Sequence, residues 1–134
     1  MALQWDNAYS TGIKEIDQQH MKLFEFVNKL EEQIQKGINK AAVKGILQFL
    51  ETYARTHFSF EEICMDERRC PMACRNKEAH KQFLELFRGF QAQFATAPDT
   101  EALVRQIHST AEGWLINHIC RIDVNLRPSI KAAA

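Results

Sequence analysis

The feature that most constrains this chain is a helical apolar period that appears four times, each time stopped by a short run of breakers. Ile16, Leu23, Val27, Leu30 and Ile34 recur at spacings of three, four and seven. Val43, Ile46, Leu47, Leu50 and Tyr53 form a second stripe, and Phe83, Leu84, Phe87, Phe90 and Phe94 a third. Leu103, Ile107, Trp114, Leu115, Ile119 and Ile122 form the fourth. Gly37 with Asn39, the charged run from Asp66 to Pro71, and Ala97-Pro98-Asp99-Thr100 separate them. The spacing predicts helices over about 16–36, 40–65, 72–94 and 99–126, after an N-terminal arm over about 1–15 that carries Trp5, Tyr9 and Gly12 but has no period. Asp99 or Thr100 is the expected cap of the fourth helix. Pro128 falls just past its end, and 131–134 read as a frayed tail. Nothing alternates with period two. The expected fold is all-α, one domain, an antiparallel up-down-up-down four-helix bundle.

Charge removes several function classes. Seventeen Lys and Arg balance seventeen Asp and Glu, so neither a nucleic-acid binder nor a polybasic membrane-surface protein is expected. No apolar run approaches the ~20 residues of a membrane span, and the first residues lack the basic and apolar regions of a signal peptide. The expected compartment is the cytoplasm, with the four cysteines as thiols or ligands rather than disulfides.

The chemistry lies in the histidines. His20, His57, His80 and His118 each fall on the apolar stripe of a different helix. A lone histidine there is ordinarily a hydrogen-bonded core residue. Four imidazoles converging in one core need a shared partner, and a metal supplies it. Glu61 stands four residues after His57, on the same face. Asp123 stands five after His118, about 140° round a continuous helix, at the border of the apolar arc. Glu62 reads as a solvated helix charge. Carboxylates bridge two cations and imidazoles complete each sphere, so the set points to a non-haem di-iron or di-manganese centre. A closed structural zinc site, which needs four ligands, fits less well.

Trp5, Tyr9, Gly12, Ile16, Asp17 and His20, then His57-Phe58-Ser59-Phe60-Glu61-Glu62 with Met65, then Pro71 with His80 and Phe83, and finally His118 with Asp123, span nearly the whole chain in order. In these pieces the sequence resembles a bacterial hemerythrin domain. The resemblance implies an oxo- or hydroxo-bridged pair of irons that binds O2 reversibly. By the same resemblance Glu61 and Asp123 bridge the metals, His20 and His57 hold the iron that takes O2, and His80 and His118 hold the other. Phe58, Leu115, Ile119 and Ile122 would form the dry pocket that bound O2 needs.

One ligand departs from the family pattern, which has His-x-x-x-His on the third helix. Position 76 is Asn76, four residues before His80 and on its face. An amide oxygen is a weaker donor than imidazole, so Asn76 binds directly, holds a water, or leaves the position open. Neither His108 nor Cys74 nor Cys120 faces the right way to replace it; His108 reads as a surface or second-layer residue. The expected function is therefore O2 carriage, storage or sensing at two irons. The rivals are an oxidase- or peroxidase-like enzyme acting through the opened iron, and an iron-binding or interaction module with a single-metal site. The ligand is O2, another diatomic or a peroxide. Cys64, Cys70 and Cys74, spaced C-x5-C-x3-C, lack the spacing of a zinc knuckle and read as small apolar residues.

Overall fold

In a computed structural model describing residues 2–126, the chain forms four α-helices and two short 3-10 turns. Helix α1 runs Lys14–Lys36, α2 Lys40–Glu67, α3 Ala73–Thr96 and α4 Thr100–Arg121; the turns are Asn7–Tyr9 and Asp123–Asn125. Pro128 and the tail at 131–134 lie outside the described residues. Helix α1 packs on α2 and α4, α2 on α3, and α3 on α4, which closes an up-down-up-down bundle. No described helix is long and apolar enough to cross a membrane.

The ends follow from local chemistry. Asn39 caps α2 by accepting from the Ala42 N–H at 3.0 Å, and Asp99 caps α4 by accepting from the Ala102 N–H at 3.1 Å. Gly37, at φ 102°, supplies the left-handed turn after α1. Helix α1 has no side-chain cap; its Asp17 instead holds the arm. The Asp17 carboxylate accepts from Ser10 Oγ, Thr11 N and Thr11 Oγ1, each at 2.8 Å. Asn28 clamps Leu3 at both backbone groups, and Trp5, Tyr9 and Phe24 pack with ring centroids 5.7–5.9 Å apart. The arm is thus fixed to the bundle by polar bonds and aromatic packing, neither of which needs a helical period.

Helix α4 stops at Arg121, five residues short of the end the period suggests. The Ile122 N–H still donates to His118 O at 2.9 Å, and the 3-10 turn begins at Asp123. The interior forms two apolar clusters. The larger joins all four helices and contains Phe58, Phe83, Phe87, Phe90 and Phe94. The smaller is built from Ile13, Ile16, Cys64, Met65, Cys70 and Leu126. Beside the smaller cluster lies a layer of buried polar residues.

Candidate metal centre

His20, His57, Glu61, Asn76, His80, His118 and Asp123 are all buried. A buried polar group needs a partner, and a buried charge needs one more strongly. The helices bring these groups to one level because α1 and α3 carry His20 and His80, α4 carries His118, and α2 carries both His57 and Glu61 one turn apart. Asp123 reaches the same level from the 3-10 turn.

Glu61 splits its two oxygens between two pairs of imidazoles. Oε2 lies 3.1 Å from His20 Nε2 and 3.4 Å from His57 Nε2, and Oε1 lies 3.2 Å from His80 Nε2 and 3.8 Å from His118 Nε2. Asp123 does the same, with Oδ2 3.1 Å from His20 Nε2 and Oδ1 3.1 Å from His118 Nε2. Two groups result: His20, His57, Glu61 and Asp123, and His80, His118, Glu61 and Asp123. Within each, the ligand atoms all lie within 4.8 Å of one another. Several of these atoms are close without being bonded: Glu61 Oε1 and both Asp123 oxygens are buried with no aligned hydrogen bond. Each group has the imidazole and carboxylate donors that could hold a metal ion.

The other face of the rings sets their orientation. His57 Nδ1–H donates to Gln19 Oε1 at 2.7 Å, and His80 Nδ1–H donates to Glu62 at 3.0 Å. Such bonds fix the tautomer with Nε2 free for a metal. Glu62 is therefore not simply a solvated charge, and Gln19 also belongs to the site. Each adjoins a candidate ligand in sequence, which is a weak signal; the helix crossing decides the contact. Phe58 stacks on His80 at 3.8 Å and Trp114 on His118 at 4.5 Å.

Without a metal, protons balance the carboxylates. Against the cost of burial, Asp123 and Glu61 push the His20 imidazole up to about 10, and the same two carboxylates push His118 up to about 9. Burial pushes His57 down. Burial alone would raise the Glu61 carboxyl, but the four imidazoles around it, His118 foremost, hold it well below its usual value.

Asn76 sits at the second group. Its Oδ1 accepts from His118 Nε2 at 2.8 Å, and its Nδ2 is buried with no partner. Of the expected pocket residues, Phe58 and Leu115 line a small cavity of about 10 Å³ with Leu23, Leu50, Phe83 and Trp114. Ile119 is buried in the larger cluster but does not line that cavity. Ile122 packs against the smaller cluster instead, because α4 ends before it. His108 approaches Glu112 at 3.5 Å and takes no part in the centre. Cys64 and Cys70 are buried in the smaller cluster, Cys74 and Cys120 are exposed, and no cysteine joins a metal-ligating group among the described residues. A groove of about 640 Å³ between α2 and α3, lined by residues such as Lys40, Lys44, Gln91 and Phe94, contains none of the site residues.

A family model, the hemerythrin HHE cation binding domain, matches residues 11–130. A bacteriohemerythrin of Stenotrophomonas maltophilia is 31% identical over 130 residues, covering 97% of this chain and 82% of that protein. A bacteriohemerythrin of Methylococcus capsulatus is 29% identical over 139 residues, covering 98% of this chain and all of the other. A solved wild-type hemerythrin structure superposes with a TM-score of 0.82 at 26% identity, covering 97% of this chain and 98% of that one.

Proposed function

The chain belongs to the hemerythrin HHE cation-binding family, and on that premise we propose that it holds two non-haem irons and binds O2, as a carrier, store or sensor. The observation that carries this reading is the way Glu61 and Asp123 each divide their oxygens between two histidine pairs. A carboxylate placed so can bridge two cations and offset their repulsion. His20 and His57 hold one iron, and His80 and His118 the other. Bound iron supplies reversible redox chemistry toward O2. The chain's own residues do the rest: Gln19 and Glu62 orient His57 and His80, and Phe58 and Leu115 keep water out of the cavity beside them. Asn76 stands where the family pattern has a further imidazole. The unpaired cysteine thiols suit a reducing cytoplasm.

The test is anaerobic Fe(II) loading followed by elemental analysis and optical spectra as O2 is added and removed. The expected result is about two irons per chain, as in di-iron bundles, with a spectrum that cycles. One iron or fewer sinks reversible carriage by a di-iron centre and leaves a single-metal iron-binding or interaction module. A second reading is favoured by the orphaned Asn76 Nδ2: an iron lacking one imidazole has a position open to peroxide, giving peroxidase- or oxidase-like turnover. Peroxide-dependent oxidation of a dye by the iron-loaded protein supports that reading; its absence in a protein that cycles O2 removes it.

A further inference from the structure

The two histidine pairs differ in what stands behind them. Behind His57 is a neutral amide, Gln19, at 2.7 Å. His20 Nδ1 has no partner at all. Behind His80 is a carboxylate, Glu62, at 3.0 Å, with its side chain 29% exposed. The charged acceptor therefore serves the pair beside Asn76, which bonds His118 and stands where the family resemblance implies a further imidazole. We infer that Glu62 is a positioning residue that compensates for Asn76: it accepts the His80 Nδ1 proton, enriches the opposite Nε2, and so retains the second metal despite the weaker amide. The inference rests on the two-ion reading above.

A hydrogen bond to a carboxylate pulls the Nδ1 proton toward the oxygen and leaves more electron density on Nε2, which strengthens it as a ligand. A neutral amide at the same distance orients the ring with much less of that effect. The substitution that separates orientation from charge is Glu62→Gln, which keeps an acceptor oxygen and removes the charge.

The experiment is an anaerobic Fe(II) titration against a competing chelator, resolving the two dissociation constants of the parent, Glu62→Gln, Asn76→His and the double variant. Circular dichroism of the metal-free proteins checks that all four keep the bundle. Asn76→His is expected to tighten the looser constant, which assigns it to the His80 side. Glu62→Gln is expected to weaken that constant by roughly 10- to 100-fold, the usual range for loss of an outer-shell partner, and to leave the tighter one unchanged. In the Asn76→His background the same substitution is expected to cost several-fold less. An unchanged looser constant in Glu62→Gln overturns the inference, as do an equal loss at both sites and an equal loss in both backgrounds. A parent that takes up one ion at every concentration also overturns it. A parent that takes up none overturns the metal-binding reading itself.

Discussion

The two apolar clusters of the bundle are built differently. The larger is filled by residues lying within all four helices, and among its rings Phe83, Phe87 and Phe90 pack at centroid distances of 5.2–6.4 Å. The smaller draws on segment ends: Ile13 before α1, Cys64 and Met65 near the end of α2, Cys70 in the break, Leu126 after the 3-10 turn. The larger cluster forms wherever four stripes meet. The smaller forms only if the break and the turn take their observed paths, and one of those paths carries Asp123. Fold stability therefore belongs mainly to one cluster, and the placement of the Asp123 carboxylate to the other.

The sharpest way to break that division is to empty the larger cluster. Phe87 is 1% exposed, and Phe87→Ala is expected to cost about 3–5 kcal/mol, read by denaturant unfolding of the metal-free protein. The iron count of the molecules that stay folded should not change. A variant that loses iron without losing stability would reverse the assignment of roles.

The polar layer responds to pH in a way the apolar clusters do not. His20 and His118 are raised in the folded metal-free protein, so the fold holds more protons than the unfolded chain above about pH 6.5, the ordinary histidine value. Their contribution is fully present below that pH and is lost as pH rises through about 9 to 10. His57, lowered by burial, runs the other way: its contribution is present above the ordinary histidine value and is lost as pH falls through its folded value. Glu61 adds a loss in strong acid, below the ordinary carboxylate range. Thermal melts should show the metal-free protein weakening between pH 7 and pH 10. The iron-loaded protein should weaken much less, since metal replaces those protons. Parallel alkaline losses with and without iron would mean that the buried histidines do not face the metals.

Removing one side chain from the smaller cluster tests the other half of the comparison. Leu126 is fully buried beside Ile13, Ile16 and Met65. Leu126→Ala is expected to cost about 2–5 kcal/mol, the usual range for a fully buried leucine. Its effect on metal should be out of proportion. Both iron dissociation constants should rise together, because Asp123 offers one oxygen to each histidine pair. Chelator competition that finds both constants unchanged would show that the turn holds Asp123 without its apolar anchor.

The same contrast explains how much could be read from the residues alone. His20, His57, His80, His118 and Glu61 announce themselves because a regular helix converts spacing into direction, and burial of its stripe does the rest. Asp123 has no such rule: its position depends on α4 ending at Arg121, which no capping residue marks. Ile122, just past that end, packs against the smaller cluster. Gln19 and Glu62 are polar or charged neighbours of candidate ligands, and only the approach of a second helix makes them partners of His57 and His80. The arm is held by Asp17 six to seven residues on and by Asn28 twenty-five residues on, contacts that follow no helical period.

The smallest effect sharpens the comparison by lying outside both clusters. Asn39 caps α2 at its exposed N-terminus, at the end of the helix remote from His57 and Glu61. Asn39→Ala leaves the Ala42 N–H without its acceptor and is expected to cost about 1 kcal/mol, measured by chemical denaturation. The helix register of His57 and Glu61 is fixed by packing well beyond the first turn, so both iron constants and the optical spectrum should match the parent. A cap variant that also weakened iron would mean that α2 transmits its end fraying to the centre, and the two ends of the bundle would then not be separable.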